Sequence, residues 1–189
     1  MADQTISKCD PLEGMEMSRL VNDPVKSSRY FSLVDIEKLS QKESTTNADK
    51  ILAIIDIGEC KKKYNYEGIS NNTRDFWKAV MEQTIFQRIF PNYRSETLRK
   101  YWRYLRKSKN TLKCFAVVNL YSELIDSCDY NSLLFVVEAV ALYVLLGYGM
   151  DFPEFFNIMI NAKKIKKQNT KKAKSSNPPK LLSKKTKHH

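Results

Sequence analysis

Arg94–Lys107 reads RSETLRKYWRYLRK, six basic residues, three aromatics and one acid in fourteen positions. Its residues sort by face at helical spacing. Leu98, Trp102 and Leu105 fall at i, i+4 and i+7, the mark of a stripe turned inward. Arg99, Arg103 and Arg106 repeat that spacing one step round, Lys100 and Lys107 widen the basic face, and Arg94 precedes it. Tyr101 and Tyr104 lie near the boundaries between faces. Ser95 is the expected cap, with Glu96 just inside, where the helix dipole favours an acid. The stretch reads as an amphipathic helix whose outer face is either merely solvated or built to meet an anion.

Working back along the chain, PNYRS supplies a turn before this helix, and Pro91 closes the segment preceding it. That segment, TRDFWKAVMEQTIF, has Thr73 as cap, Asp75 in the first turn and Phe76, Trp77, Val80 and Met81 inward. Its extension to Phe90 is left open. Before it, NADKILAIIDIGECKKKY predicts a helix with Asn47 as cap, Asp49 in its first turn and a broad aliphatic face. Ile51, Leu52, Ile54, Ile55 and Ile57 make that face, and an end is expected near Lys61–Lys63. NYEGISNN then forms a loop with Gly68 and Asn72 as turn residues. Three helices between 46 and 109, the last one basic, have the layout of a helix-turn-helix domain.

Ahead of this unit, residues 1–45 read as a mobile arm, with a possible short docking helix marked by Phe31, Leu33, Ile36 and Leu39. The first residues lack an apolar leader core, so no secretory signal is expected. After Asn110 the character changes. LKCFAVVNLYSELIDSC, SLLFVVEAVALYVLLGYG and DFPEFFNIMINAKKIKK predict further apolar helices, so residues 110–166 read as a helical region for packing or protein contact. The strongest of these runs is interrupted by Glu138, leaving twelve uncharged residues from Ala139 to Met150. A membrane span needs roughly 20 apolar residues, so a buried helix is expected and no membrane partner. The GYGMD element after it reads as a helix C-terminal turn rather than a cofactor loop. Residues 167–189 are lysine-rich and of low complexity, and a disordered tail is expected there.

Charge follows the same divisions. Of the formal net charge of +11, residues 161–189 supply eleven lysines and no acid. Residues 88–113 hold nine basic residues and one acid, whereas 114–160 hold no Lys or Arg and six acids. Segregation this sharp implies basic parts for an anionic partner and an acidic apolar part for packing.

In this arrangement, residues 46–109 resemble the Myb/homeobox-like class, and within it the Myb domains of telomeric repressor-activator proteins. The resemblance rests on DFWKAV in the second helix and on PNYRSETLRKYWRYL. There Pro91, Glu96, Thr97, Arg99 and Trp102 match the family pattern, and Leu98 stands where an aromatic is usual. The Trp-Phe-Asn-Arg signature of true homeodomains is absent, as is the full tryptophan set of Myb repeats. In overall form the chain also resembles the small homeobox-like accessory subunits of the ciliate DNA N6-adenine methyltransferase complex. The resemblance implies an all-α protein in the nucleus that binds double-stranded DNA through Arg94, Arg99, Lys100, Arg103, Arg106 and Lys107. It implies a non-catalytic role beside other protein subunits; a telomere- or chromatin-associated Myb-type protein and a purely structural interaction subunit are the alternatives.

The residues themselves offer no catalytic constellation. Both histidines, His188 and His189, stand at the extreme end, and Cys9, Cys60, Cys114 and Cys128 are scattered without a CxxC pair. No metal, cofactor or small-molecule ligand is expected, and the cysteines read as reduced thiols. Asn177–Lys180 (NPPK) is similar to the Asp/Asn-Pro-Pro-aromatic motif of amino-group methyltransferases, but Lys180 replaces the aromatic. Trp77 and Trp102 are read as core. The basic tail would add salt-dependent affinity for DNA, and KKIKK also fits nuclear import.

Overall fold

A computed structural model describes residues 33–60, 64, 68–128, 132–147 and 149–175. Most of the N-terminal arm, Lys61–Lys63 and the tail beyond Ser175, with its NPPK motif and both histidines, lie outside them. Among the described residues there are nine helices and no strand, so the protein is all-α. In chain order they are α1 (Ile36–Ser40), α2 (Asn47–Glu59), α3 (Arg74–Glu82), α4 (Thr84–Ile89) and α5 (Ser95–Lys107). Then follow α6 (Thr111–Leu120), α7 (Ser122–Asp126), α8 (Leu133–Leu146) and α9 (Phe152–Ser175).

Local chemistry sets most of the ends. Thr46, not Asn47, caps α2: its Oγ1 accepts from Asp49 N, and Asp49 Oδ2 accepts from Thr46 N in return. This reciprocal box satisfies two otherwise orphaned amides, and Lys42 Nζ neutralises Asp49 at 2.8 Å. Helix α2 stops at Glu59, short of the lysines expected to end it. Thr73 caps α3 as expected, accepting from Phe76 N. At α5 the cap is Arg94, which makes no side-chain cap bond, and Ser95 is the first helical residue.

Helices α3 and α4 are separated at Gln83, whose backbone is extended. At about 100° per residue, a continuous helix would turn Phe86 and Ile89 well away from the side occupied by Phe76, Trp77 and Val80. The break re-aims them, and these five, with Phe90, are buried. Gln87 Nε2 donates to the freed carbonyl of Met81 across it at 2.8 Å.

One hydrophobic core runs through both the 46–109 and the 110–166 spans. The basic helix α5 packs on α2 and α3, and its most extensive packing is against the apolar helix α8. Helix α8 is buried because α5, α6, α2 and α9 surround it, which is why its apolar residues run nearly all round. Polar contacts between residues distant in sequence also join the spans. Asp126 Oδ1 accepts from Ala48 N at 3.0 Å, satisfying a free amide at the start of α2, and Thr111 donates to Glu59.

At the far end, Gly147 closes α8 with φ 82°, a conformation suited to glycine. The chain then returns as α9, whose Phe152 and Phe156 stack at 5.3 Å and meet Tyr143 and Phe135 of α8. Glu138, the one acid of α8, is half-buried and paired with Lys163 Nζ at 3.4 Å; the same ammonium lies 4.4 Å from the Phe135 ring centre. Helix α9 does not end where the tail was expected to begin. It continues to Ser175 through lysine, glutamine and alanine, all good helix formers. No helix among the described residues is long and apolar enough to cross a membrane.

Candidate nucleic-acid interface

The anchoring of α5 decides what its outer face can do. Leu98, Trp102 and Leu105 are buried as the spacing predicts, and Tyr101 joins them rather than standing at the boundary. Trp102 lies against Gly58 of α2 so closely that a β-carbon there would meet the indole at 2.5 Å. Trp77 faces it at 6.3 Å and is fixed by donating Nε1–H to Asn71 O, while Asn71 donates to Gly58 O. Both tryptophans are core, and their burial leaves them unable to stack on a base.

Opposite this anchor, the helical rotation places Glu96, Lys100, Arg103 and Lys107 on one crest. All four are exposed. Arg106 is exposed on one flank, and Thr97 and Tyr104 form the other. The long side chains bound an open furrow of about 360 Å³, lined by Glu96, Thr97, Lys100, Arg103, Tyr104 and Lys107. Lys107 Nζ stands 4.9 Å from the Tyr104 ring centre, within cation–π range. Among the described residues, the side chains of Arg94, Lys100, Arg103 and Arg106 have no ion-pair or hydrogen-bond partner.

Arg99 differs from the rest of the row. Its Nε donates to Asn72 O at 2.8 Å, and its Nη1 pairs with Glu96 Oε1 at 2.9 Å. It straps α5 to the loop that precedes α3, so the six basic residues do not form one equivalent set. Arg103 and the two lysines on the crest are the groups turned squarely to solvent. Tyr104, which spacing placed only near a boundary between faces, forms a wall of the furrow.

Burial pushes the Cys60 thiol up to about 12, helped by the neighbouring Asp56 carboxylate, and pushes Cys114 up to about 11. Thiolates, not thiols, are nucleophiles, so neither cysteine is activated. Asp56 is buried and occupied, accepting from the amides of Leu33 and Val34 and from the Tyr64 hydroxyl. Among the described residues no group of three His, Cys, Asp or Glu is placed to hold a metal ion. A second groove, of about 560 Å³, lies between the start of α1 and α4 with Leu33, Tyr64 and Phe86 in its lining.

In comparisons with known proteins, no family model matches the chain, and no curated protein or solved structure matches it significantly.

Proposed function

We propose that this chain is a non-catalytic DNA-binding accessory subunit of a nuclear DNA-modifying complex, of the DNA N6-adenine methyltransferase kind that its overall form resembles. In this reading α2, α3 and α5 constitute a Myb/homeobox-like unit and α5 is its recognition helix. The observation that carries it is the two-sidedness of α5. One side is held to the core by Leu98, Tyr101, Trp102 and Leu105, and the other offers Lys100, Arg103, Arg106 and Lys107 to solvent. A major groove about 12 Å wide admits such a helix. Lysines at the crest suit phosphates, and Arg103 between them suits the paired acceptors on guanine. Other subunits supply the catalytic site.

The test is titration of a fluorescent 20-base-pair duplex with the full chain at several salt concentrations. Lys100→Glu with Arg103→Glu and Lys107→Glu is expected to weaken binding at least tenfold. It should flatten the logarithmic salt slope by about 0.9 for each lost phosphate contact. Unchanged affinity and slope would refute the DNA reading. The second reading, a purely structural interaction subunit, is favoured by Glu96 standing on the same crest. It predicts that the triple variant leaves duplex affinity unaltered while assembly with the partner subunits fails.

A further inference from the structure

Glu96 is the odd charge on the crest of α5. At about 100° per residue it lies within about 40° of Lys100, Arg103 and Lys107, so it projects in the direction that they do. Its side chain is 60 % exposed and turned to the same solvent. Glu96 Oε1 accepts from Arg99 Nη1 at 2.9 Å, and Arg99 Nε is tied to Asn72 O at 2.8 Å. The carboxylate is therefore steadied by an arginine that is itself strapped to a loop. Among the described residues its second oxygen, Oε2, accepts no bond.

Phosphates give no reason for an acid at this place, since it repels them and opposes the affinity its cationic neighbours supply. Base edges do give one. A helix entering the major groove turns its flanks to the two backbones and its crest to the floor. On α5 the flanks carry Arg106 on one side and Thr97 with Tyr104 on the other, all able to donate to phosphate oxygens. The crest is left to the bases. A carboxylate there is an acceptor only, so it requires a donor opposite. Guanine and thymine offer acceptors at their major-groove edges, and adenine sets its N6 amino group beside the N7 acceptor. Cytosine offers its N4 amino group with no acceptor next to it.

On the footing of the DNA reading above, we infer that Glu96 is the base-selecting residue of α5, accepting from the N4 amino group of a cytosine. Seven residues separate it from Arg103, about 10.5 Å along the helix, or about three base steps of about 3.4 Å. The chain selects a cytosine about three steps from the guanine that Arg103 meets. An acid in the first turn also suits the helix dipole. That role alone would leave base preference indifferent to what stands at position 96.

The test is selection by the full chain from duplexes with a randomised centre, followed by titration of the enriched duplex and its single-base variants. One position should hold cytosine, and any other base there should weaken binding about tenfold. Glu96→Gln should move the preference at that position to adenine, whose N6 and N7 match the glutamine amide. Glu96→Ala should reduce discrimination there to about threefold or less. The side chain is exposed, and circular dichroism checks that both variants keep the parent fold. Duplex binding without a selected cytosine overturns the inference and leaves the DNA reading standing. So does a cytosine preference that survives Glu96→Ala, or an adenine preference in the parent chain. Absence of duplex binding overturns both.

Discussion

Helices α5 and α9 carry similar charge on opposite terms. Along α5 every turn has a buried anchor, so its lysines and arginines project from a rigid face whose aim is set by the core. Along α9 the fully buried aromatic anchors stop at Phe156, and every residue from Lys164 to Lys171 is exposed. Charge count treats the two alike, whereas burial on the opposite side separates them. A basic face becomes a geometrically defined surface only where its back is held, and the back of α5 is held chiefly by α2, α3 and α8.

That contrast predicts graded effects on stability, measured by urea denaturation. Trp102→Ala removes the largest anchor of α5 and should cost about 3–5 kcal/mol, the usual range for an aromatic excised from a core. Ile165→Asp on α9 should stay within about 0.5 kcal/mol. If the two losses are equal, α9 is held as firmly as α5 and the contrast fails. Gly58→Ala comes next. The indole beside it has no room for a methyl group, and overpacking should cost about 1–3 kcal/mol. Smaller again is Glu138→Gln, which breaks the half-buried pair with Lys163. A loss of about 0.2–1 kcal/mol is expected, shrinking at high salt. The smallest effect has the opposite sign. Lys109 follows α5 with φ 58°, so Lys109→Gly should gain about 0.5 kcal/mol by relieving a left-handed side-chain conformation.

Much of α5 was legible in advance, because a 3.6-residue period reports burial directly and Leu98, Trp102 and Leu105 obeyed it. The position of Arg99 was not, since spacing places a side chain on a face but does not reveal which loop carbonyl waits there. Asn72 O lies 27 residues away in sequence. The break at Gln83 was equally hidden: no Gly or Pro marks it, and it exists because Phe86 and Ile89 gain burial by turning. The all-α class followed from periodicity throughout. The helical course of residues 167–175 did not, because a lysine-rich composition signals solvation and leaves helix formation undecided. The furrow wall at Tyr104 was ambiguous for a related reason, a boundary residue being free to pack or to face water.

The bond from Ala48 to Asp126 has a consequence for synthesis. It ties the start of α2 to a residue 78 positions later. The ribosome releases the basic helix well before it releases Asp126, or the stretch of α8 on which that helix lies. During that interval the sides of α2 and α5 that pack on α8 have no permanent cover. The nascent chain therefore completes the packing of this helix late, and folding factors that shield apolar helices would meet it first.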